Sequence, residues 1–156
     1  MTPKRSPEEL ASLVGQSGDP FEFVVERGKI REFARATKCE HPAYVDDPEP
    51  VITPTFLATA AHWAPHEAVL LERTGWDRRR MLHATQEYAF PGPLPRAGTR
   101  LRGVTRIDSA FLREGRRGGA LRFVVLATEF TDEEGGVVAI AKTTVVETSH
   151  LPGETP

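Results

Sequence analysis

Thr53-Pro54-Thr55-Phe56-Leu57-Ala58-Thr59-Ala60-Ala61-His62-Trp63-Ala64 is the stretch on which the fold turns. Thr53 has the chemistry of a helix N-cap, and Pro54 falls at the first helical position, where its missing N–H is no loss. Beyond them Phe56, Leu57, Ala58, Ala60, Ala61, Trp63 and Ala64 cover nearly every direction around a helix axis. A helix that is apolar all round is a buried helix. Its alanines let a surrounding layer approach closely, and Pro65 ends it. The expectation is a central helix enclosed by the rest of the chain.

Upstream, the Pro42–Pro54 segment reads as a loop, because its prolines deny it regular hydrogen bonding. Before it, Ile30, Phe33, Ala34 and Thr37 recur at helical spacing within Lys29 to Thr37. Phe21-Glu22-Phe23-Val24-Val25-Glu26 is rich in strand formers and suits a first strand. At the N-terminus, Ser6-Pro7-Glu8-Glu9 carries a capping box, and Leu10, Leu13 and Val14 share a face before Gly15 stops the helix. That places a short helix at about 6–14.

Downstream of a less regular segment, in which Ala68 to Leu71 suits a further helical turn, the chain becomes a series of strands. Leu82 to Phe90 is one. In Thr99 to Leu112, Leu101, Thr105 and Ile107 alternate with Arg100, Arg102, Arg106 and Asp108, as in a sheet with one wet face. Gly118-Gly119 and Glu134-Gly135-Gly136 are turns, so Ala120 to Thr131 and Val137 to Thr148 read as antiparallel neighbours. One strand, a helical region and a four-strand meander give an α+β domain over residues 1–148, its sheet of about five strands wrapped round the central helix. Residues 149–156 form a flexible tail on this reading.

A chain of 156 residues is one domain with room for a core. Its formal net charge of −2 gives no reason to expect nucleic acid or an anionic membrane as the main partner. No apolar run approaches the roughly 20 residues a membrane helix needs, and the N-terminus does not continue into a signal-peptide core. The single cysteine, Cys39, excludes an intrachain disulfide and fits a reducing cytoplasm.

Several pieces, in this order and spacing, carry a family resemblance. They are Glu26-Arg27-Gly28-Lys29-Ile30-Arg31-Glu32-Phe33-Ala34, Pro42-Ala43-Tyr44-Val45-Asp46-Asp47, Thr53-Pro54-Thr55-Phe56-Leu57, and Gln86-Glu87-Tyr88-Ala89-Phe90-Pro91-Gly92-Pro93-Leu94. Over roughly residues 15 to 148 the chain resembles the MaoC-like hydratase/dehydratase family, in its N-terminal fatty-acid-synthase-type dehydratase branch. The resemblance implies a hot-dog fold and an acyl-thioester ligand, carried by coenzyme A or acyl carrier protein, with Tyr44, Thr53, Thr55, Phe56 and Leu57 along it. Its loop between Asp47 and Pro54 is shorter than the family's usual one.

Catalytic members hold an Asp, and a His five residues later, on the loop before the central helix. The corresponding positions here are Cys39 and Tyr44. A phenol of pKa about 10 is only about 0.1% ionised at neutral pH, and an ordinary thiol only a few per cent. Neither replaces a general base. The resemblance therefore points to the non-catalytic subunit of a heterodimeric (3R)-hydroxyacyl-thioester dehydratase, partnered by a catalytic MaoC-like subunit. The alternatives are a self-sufficient homodimeric hydratase or thioesterase with a relocated base, His41 or an unidentified carboxylate, or a non-enzymatic acyl-thioester binder.

Among other candidates, His62 and His66 have i, i+4 spacing with Glu67 adjacent, but Pro65 between them breaks the shared helical face a metal would need. No metal and no cofactor are expected. Arg78-Arg79-Arg80 is the sharpest charge cluster, suited to coenzyme A phosphates or an acidic carrier protein, or simply to solvent. No Gly-rich phosphate loop, serine nucleophile elbow or paired-cysteine zinc signature occurs.

Overall fold

A computed structural model describes residues 6–64, 66–115 and 119–149. The chain opens on α1 (Pro7–Ala11), where the Ser6 hydroxyl accepts from Glu9 N–H at 3.3 Å and the Glu9 carboxylate accepts from Ser6 N–H at 2.7 Å. Both halves of the capping box are thus made. The helix stops at Ala11, sooner than the face of Leu10, Leu13 and Val14 suggested. Leu10 and Leu13 are buried, whereas Val14 turns outward ahead of Gly15, whose φ of +86° suits a residue without Cβ.

Next come β1 (Phe21–Val24), α2 (Arg27–Ala36), α3 (Pro42–Val45), a 3₁₀ helix (Phe56–His62), α4 (His66–Arg73) and a 3₁₀ turn (Arg78–Arg80). The long strands follow: β2 (Met81–Ala89), β3 (Arg100–Glu114), β4 (Ala120–Thr131) and β5 (Val137–Glu147). The five strands form one antiparallel sheet in the order β1-β3-β4-β5-β2. The meander is therefore three strands, β3 to β5, rather than four. After β2 the chain crosses the width of the sheet, and β2 pairs with β5, Met81 opposite Glu147 and Ala89 opposite Ile140. Alternation within a strand reports its faces but not its neighbour, so this crossing carries no sequence signal.

The apolar stretch that decided the fold is helical, but as 3₁₀ rather than α. Phe56 N–H reaches the Thr53 carbonyl at 3.0 Å and Ala58 N–H the Thr55 carbonyl at 3.1 Å. Thr55, not Thr53, takes the N-cap position, and without a side-chain bond. Three residues per turn stack side chains in rows. The residues Phe56 and Thr59, and Leu57 and Ala60, point inward, while Ala58 and Ala61 form an outer row open to solvent. The helix is apolar nearly all round, yet among the described residues it is covered on one side only. The enclosed part of the helical layer continues in α4, where Leu70 is fully buried.

Two apolar clusters fill the space between sheet and helices. Phe23, Val25, Ile30, Ile52, Phe56 and Phe130 anchor the first, joining β1, α2, the 3₁₀ helix and the sheet. Leu10, Leu70, Trp76, Ile107, Val124 and Leu126 anchor the second under α1 and α4. In β3 the predicted alternation is met: Leu101, Thr105 and Ile107 are buried, and Arg100, Arg102 and Arg106 are exposed. Apart from Ser149, the residues read as a flexible tail lie outside those described.

Candidate functional site

The loop that would carry acid–base chemistry is built by two helix ends. At the end of α2, Lys38 N–H bonds the Arg35 carbonyl at 3.1 Å and Cys39 N–H the Ala34 carbonyl at 2.8 Å. This is a Schellman arrangement, with Lys38 at φ 56° in the left-handed position usually given to glycine. It delivers Cys39, half-buried, to the start of the loop. His41 then caps α3, its Nδ1 accepting Ala43 N–H at 3.2 Å. With Pro42 at the first position, this very short helix has a side-chain cap and the usual proline start.

Tyr44 is thereby turned onto the first apolar cluster, which includes Phe56 and Leu57. Its ring lies 5.9 Å from that of His41, at 60°. Arg31 of α2 fixes the far end of the loop by donating from Nε to the Val45 carbonyl at 2.8 Å. So Tyr44, Phe56 and Leu57 meet in one apolar cluster. Thr53 is almost fully buried beside them, while Thr55 is exposed. Among the described residues the hydroxyls of Thr53 and Thr59 have no hydrogen-bond partner. Buried hydroxyls are normally satisfied, so an orphaned one marks a place for a water or ligand atom.

His41 is exposed and committed to capping, and Cys39 is tied to the α2 terminus. Neither has a carboxylate bonded to it among the described residues. The Arg78-Arg79-Arg80 cluster is neutralised within the chain. Arg78 pairs with Glu72 at 2.8 Å in an exposed position, and exposed Arg79 pairs with partly buried Asp77 at 2.8 Å. Hydrogen bonds from the Arg79 side chain first, and from its backbone N–H second, hold the Asp77 carboxyl down at about 2. Arg80 differs from its neighbours: it donates to fully buried Glu147 at 2.7 Å and serves the core.

A second polar group was not legible in the sequence. Glu67, in the first turn of α4, accepts the Thr143 hydroxyl at 2.7 Å, and Thr143 lies 2.9 Å from the Gln86 side-chain oxygen. One hydroxyl proton cannot serve both oxygens, so turning the Gln86 amide to present its N–H satisfies the set. Tyr88 stands close by, its phenol pushed above its ordinary range by burial and, secondarily, by the Glu67 charge. Gln86 and Thr143 face each other only because β2 crosses to β5. Spacing alone had no way to join them to Glu67.

Beside Glu67 lies an open groove of about 350 Å³, walled by Ala61, Ala64, Ala68, Leu71 and Met81, with Arg78 at its rim. A larger groove of about 440 Å³ runs along the opposite sheet edge, past Phe21, Arg100 and Asp132, and takes no residue from the Cys39–Tyr44 loop. No group of three or more His, Cys, Asp or Glu is gathered for a metal among the described residues. No helix among them is long and apolar enough to cross a membrane.

A curled five-stranded antiparallel sheet around a central helical layer, entered by a loop over the first apolar cluster, is the hot-dog fold of MaoC-like dehydratases. The family model of the FAS1-like dehydratase domain region matches residues 12–141, and the chain belongs to that family. It is 34% identical over 145 residues to a UPF0336 protein of Saccharopolyspora erythraea, covering 86% of this chain and 88% of that one. Among solved structures it is similar to the C-terminally truncated HadBC (3R)-hydroxyacyl-ACP dehydratase complex of Mycobacterium tuberculosis. The identity is 26% and the TM-score 0.70, over 86% of this chain and 96% of that chain. A MaoC-like dehydratase matches at 26% identity and TM-score 0.72, over 88% of this chain but 43% of that longer one.

Proposed function

We propose that this chain is the acyl-thioester-binding, non-catalytic subunit of a (3R)-hydroxyacyl-thioester dehydratase of lipid metabolism, acting in the cytoplasm beside a catalytic MaoC-like subunit. The observation that carries the reading is the α2–α3 loop. By the resemblance it stands in the place of the family's acid–base loop, and it carries Cys39 and Tyr44 at the Asp and His positions. The similarity to a dehydratase complex built of unlike subunits supports the pairing.

On this reading the ligand's acyl portion runs over Tyr44, Phe56 and Leu57, and the orphaned Thr53 hydroxyl offers a donor to it. The Phe56 N–H is already spent on the Thr53 carbonyl, which leaves less of the helix N-terminus for polarising a thioester. Arg78 pairs with Glu72 across an exposed ion pair, worth about 0–1 kcal/mol, and is the arginine a phosphate or an acidic carrier can recruit.

The test follows loss of the conjugated enoyl absorbance with trans-2-enoyl-CoA substrates of several chain lengths. The purified chain alone gives no turnover, and adding a catalytic MaoC-like subunit restores it. Clear hydration by the chain alone overturns the proposal.

A further inference from the structure

The Glu67 groove lies outside the loop just described. From its geometry we propose that Glu67 is the general base of a thioester hydrolysis carried out by this chain. The proposal takes its ligand class from the reading above, leaves the dehydration non-catalytic in this chain, and gives the chain a separate hydrolysis of its own.

Three observations converge on it. Glu67 is the carboxylate in the wall of a groove otherwise lined by alanine, leucine and methionine side chains, with Arg78 at the rim. That is the composition of a small-molecule site: apolar walls and few, placed polar groups. One of its oxygens is fixed by the Thr143 hydroxyl, itself backed by Gln86, so the carboxylate is aimed rather than free. A base needs such orientation as much as it needs a suitable pKa. Third, half-buried Tyr88 stands close enough for the Glu67 charge to raise its phenol, after burial, so an O–H donor borders the carboxylate. Around Glu67 stand Thr143 on β5 and Gln86 and Tyr88 on β2, and Arg78 also lines the groove with its guanidinium paired to Glu72.

A single carboxylate suffices for hydrolysis. Glu67 takes a proton from water as the water oxygen bonds to the thioester carbonyl carbon, giving a tetrahedral oxyanion. The intermediate collapses, the C–S bond breaks, and the departing thiolate recovers the proton from Glu67. The products are the carboxylic acid and the thiol, and the base is regenerated. Dehydration would need a second group to manage the proton at the α-carbon, which this groove lacks among its described residues.

The experiment measures release of free coenzyme A from saturated acyl-CoA substrates, which cannot be hydrated, by the full-length chain. Release is expected for the natural chain. It should fall by about 100-fold or more in Glu67→Gln, in line with the contribution of a general base. Glu67→Gln keeps an acceptor for Thr143, and an unchanged melting curve shows that the fold survives. Thr143 is a positioning residue: Thr143→Val should lower kcat for thiol release while leaving KM unchanged, because the carboxylate loses the donor that aims it. Thr143→Ser should restore it. In parallel, binding of a non-hydrolysable acyl-CoA thioether is followed by calorimetry. Binding without Glu67-dependent thiol release overturns the hydrolysis alone. Failure to bind overturns both this proposal and the thioester-subunit reading.

Discussion

Lys38 shows how much one backbone position contributes to the site. At φ 56° it occupies a conformation that costs an L side chain about 1–2 kcal/mol, and it does so to close the α2 terminus and aim Cys39 into the loop. Glycine bears no such strain, although it loses about 0.5–1 kcal/mol of chain entropy. Lys38 is exposed, and no ion pair of its own is found among the described residues, so little is forfeited by removing the side chain. Lys38→Gly is expected to stabilise the chain by about 0.5–1 kcal/mol, a rise of about 2–3 °C in a thermal melt. A fall in melting temperature would mean that the lysine makes a compensating contact. The α2 terminus was legible in the periodicity of Ile30, Phe33 and Ala34, but its cap was not, because no glycine or asparagine announces it. Cys39 and Tyr44 could be set beside a family pattern from sequence alone. What could not be read was that the His41 ring would be used as a cap, since histidine is not among the usual N-cap residues.

At the scale of elements, period-2 alternation located the strands, and turn glycines separated β3, β4 and β5 correctly. The 3₁₀ geometry of Phe56–His62 and the destination of β2 stayed hidden for the same reason: each depends on long-range packing and not on local pattern. The β2 crossing also assembles a buried ion cluster that no spacing rule joins. Glu147, at the end of β5, is fully buried and is bonded by Arg80 from the 3₁₀ turn, by Arg122 from β4 and by the Asp77 N–H at 2.9 Å. Arg122 lies 5.6 Å above the Trp76 ring. The cluster ties β2, β4 and β5 at one corner of the sheet. Neutralising Glu147 removes the buried charge that Arg122 and Arg80 share and leaves Arg80 only the longer pair to Asp77 at 3.7 Å. Glu147→Gln is expected to cost about 3–5 kcal/mol in chemical denaturation. A loss below about 1 kcal/mol would show that the arginines are solvated in the folded chain and that the corner is not held electrostatically.

Taken as a whole molecule, the chain has one side finished and one side bare. β1 and β2 are both edge strands, but β2 is the longer, and most of its residues are exposed. The bare side continues across the outer row of the 3₁₀ helix and includes Trp63 at 56% exposure, Leu82 at 48% and Val69 at 42%. A long open strand beside exposed aromatic and aliphatic side chains is a surface that natural proteins cover. A second hot-dog sheet joined at β2 would cover both at once, closing one open edge of each sheet and enclosing the apolar stretch that this chain buries on one side only. Leu82→Arg tests that arrangement without disturbing the monomer. The residue is already half exposed, so the substitution should change the stability of the isolated chain by less than about 0.5 kcal/mol. In the complex it would place an unpaired charge against an apolar seam, a penalty of several kcal/mol that should abolish co-elution with the catalytic subunit on size exclusion. Retained co-elution with an unchanged dissociation constant would place the partner elsewhere. The exposed alanines would then have to be explained by the groove beside Glu67 alone.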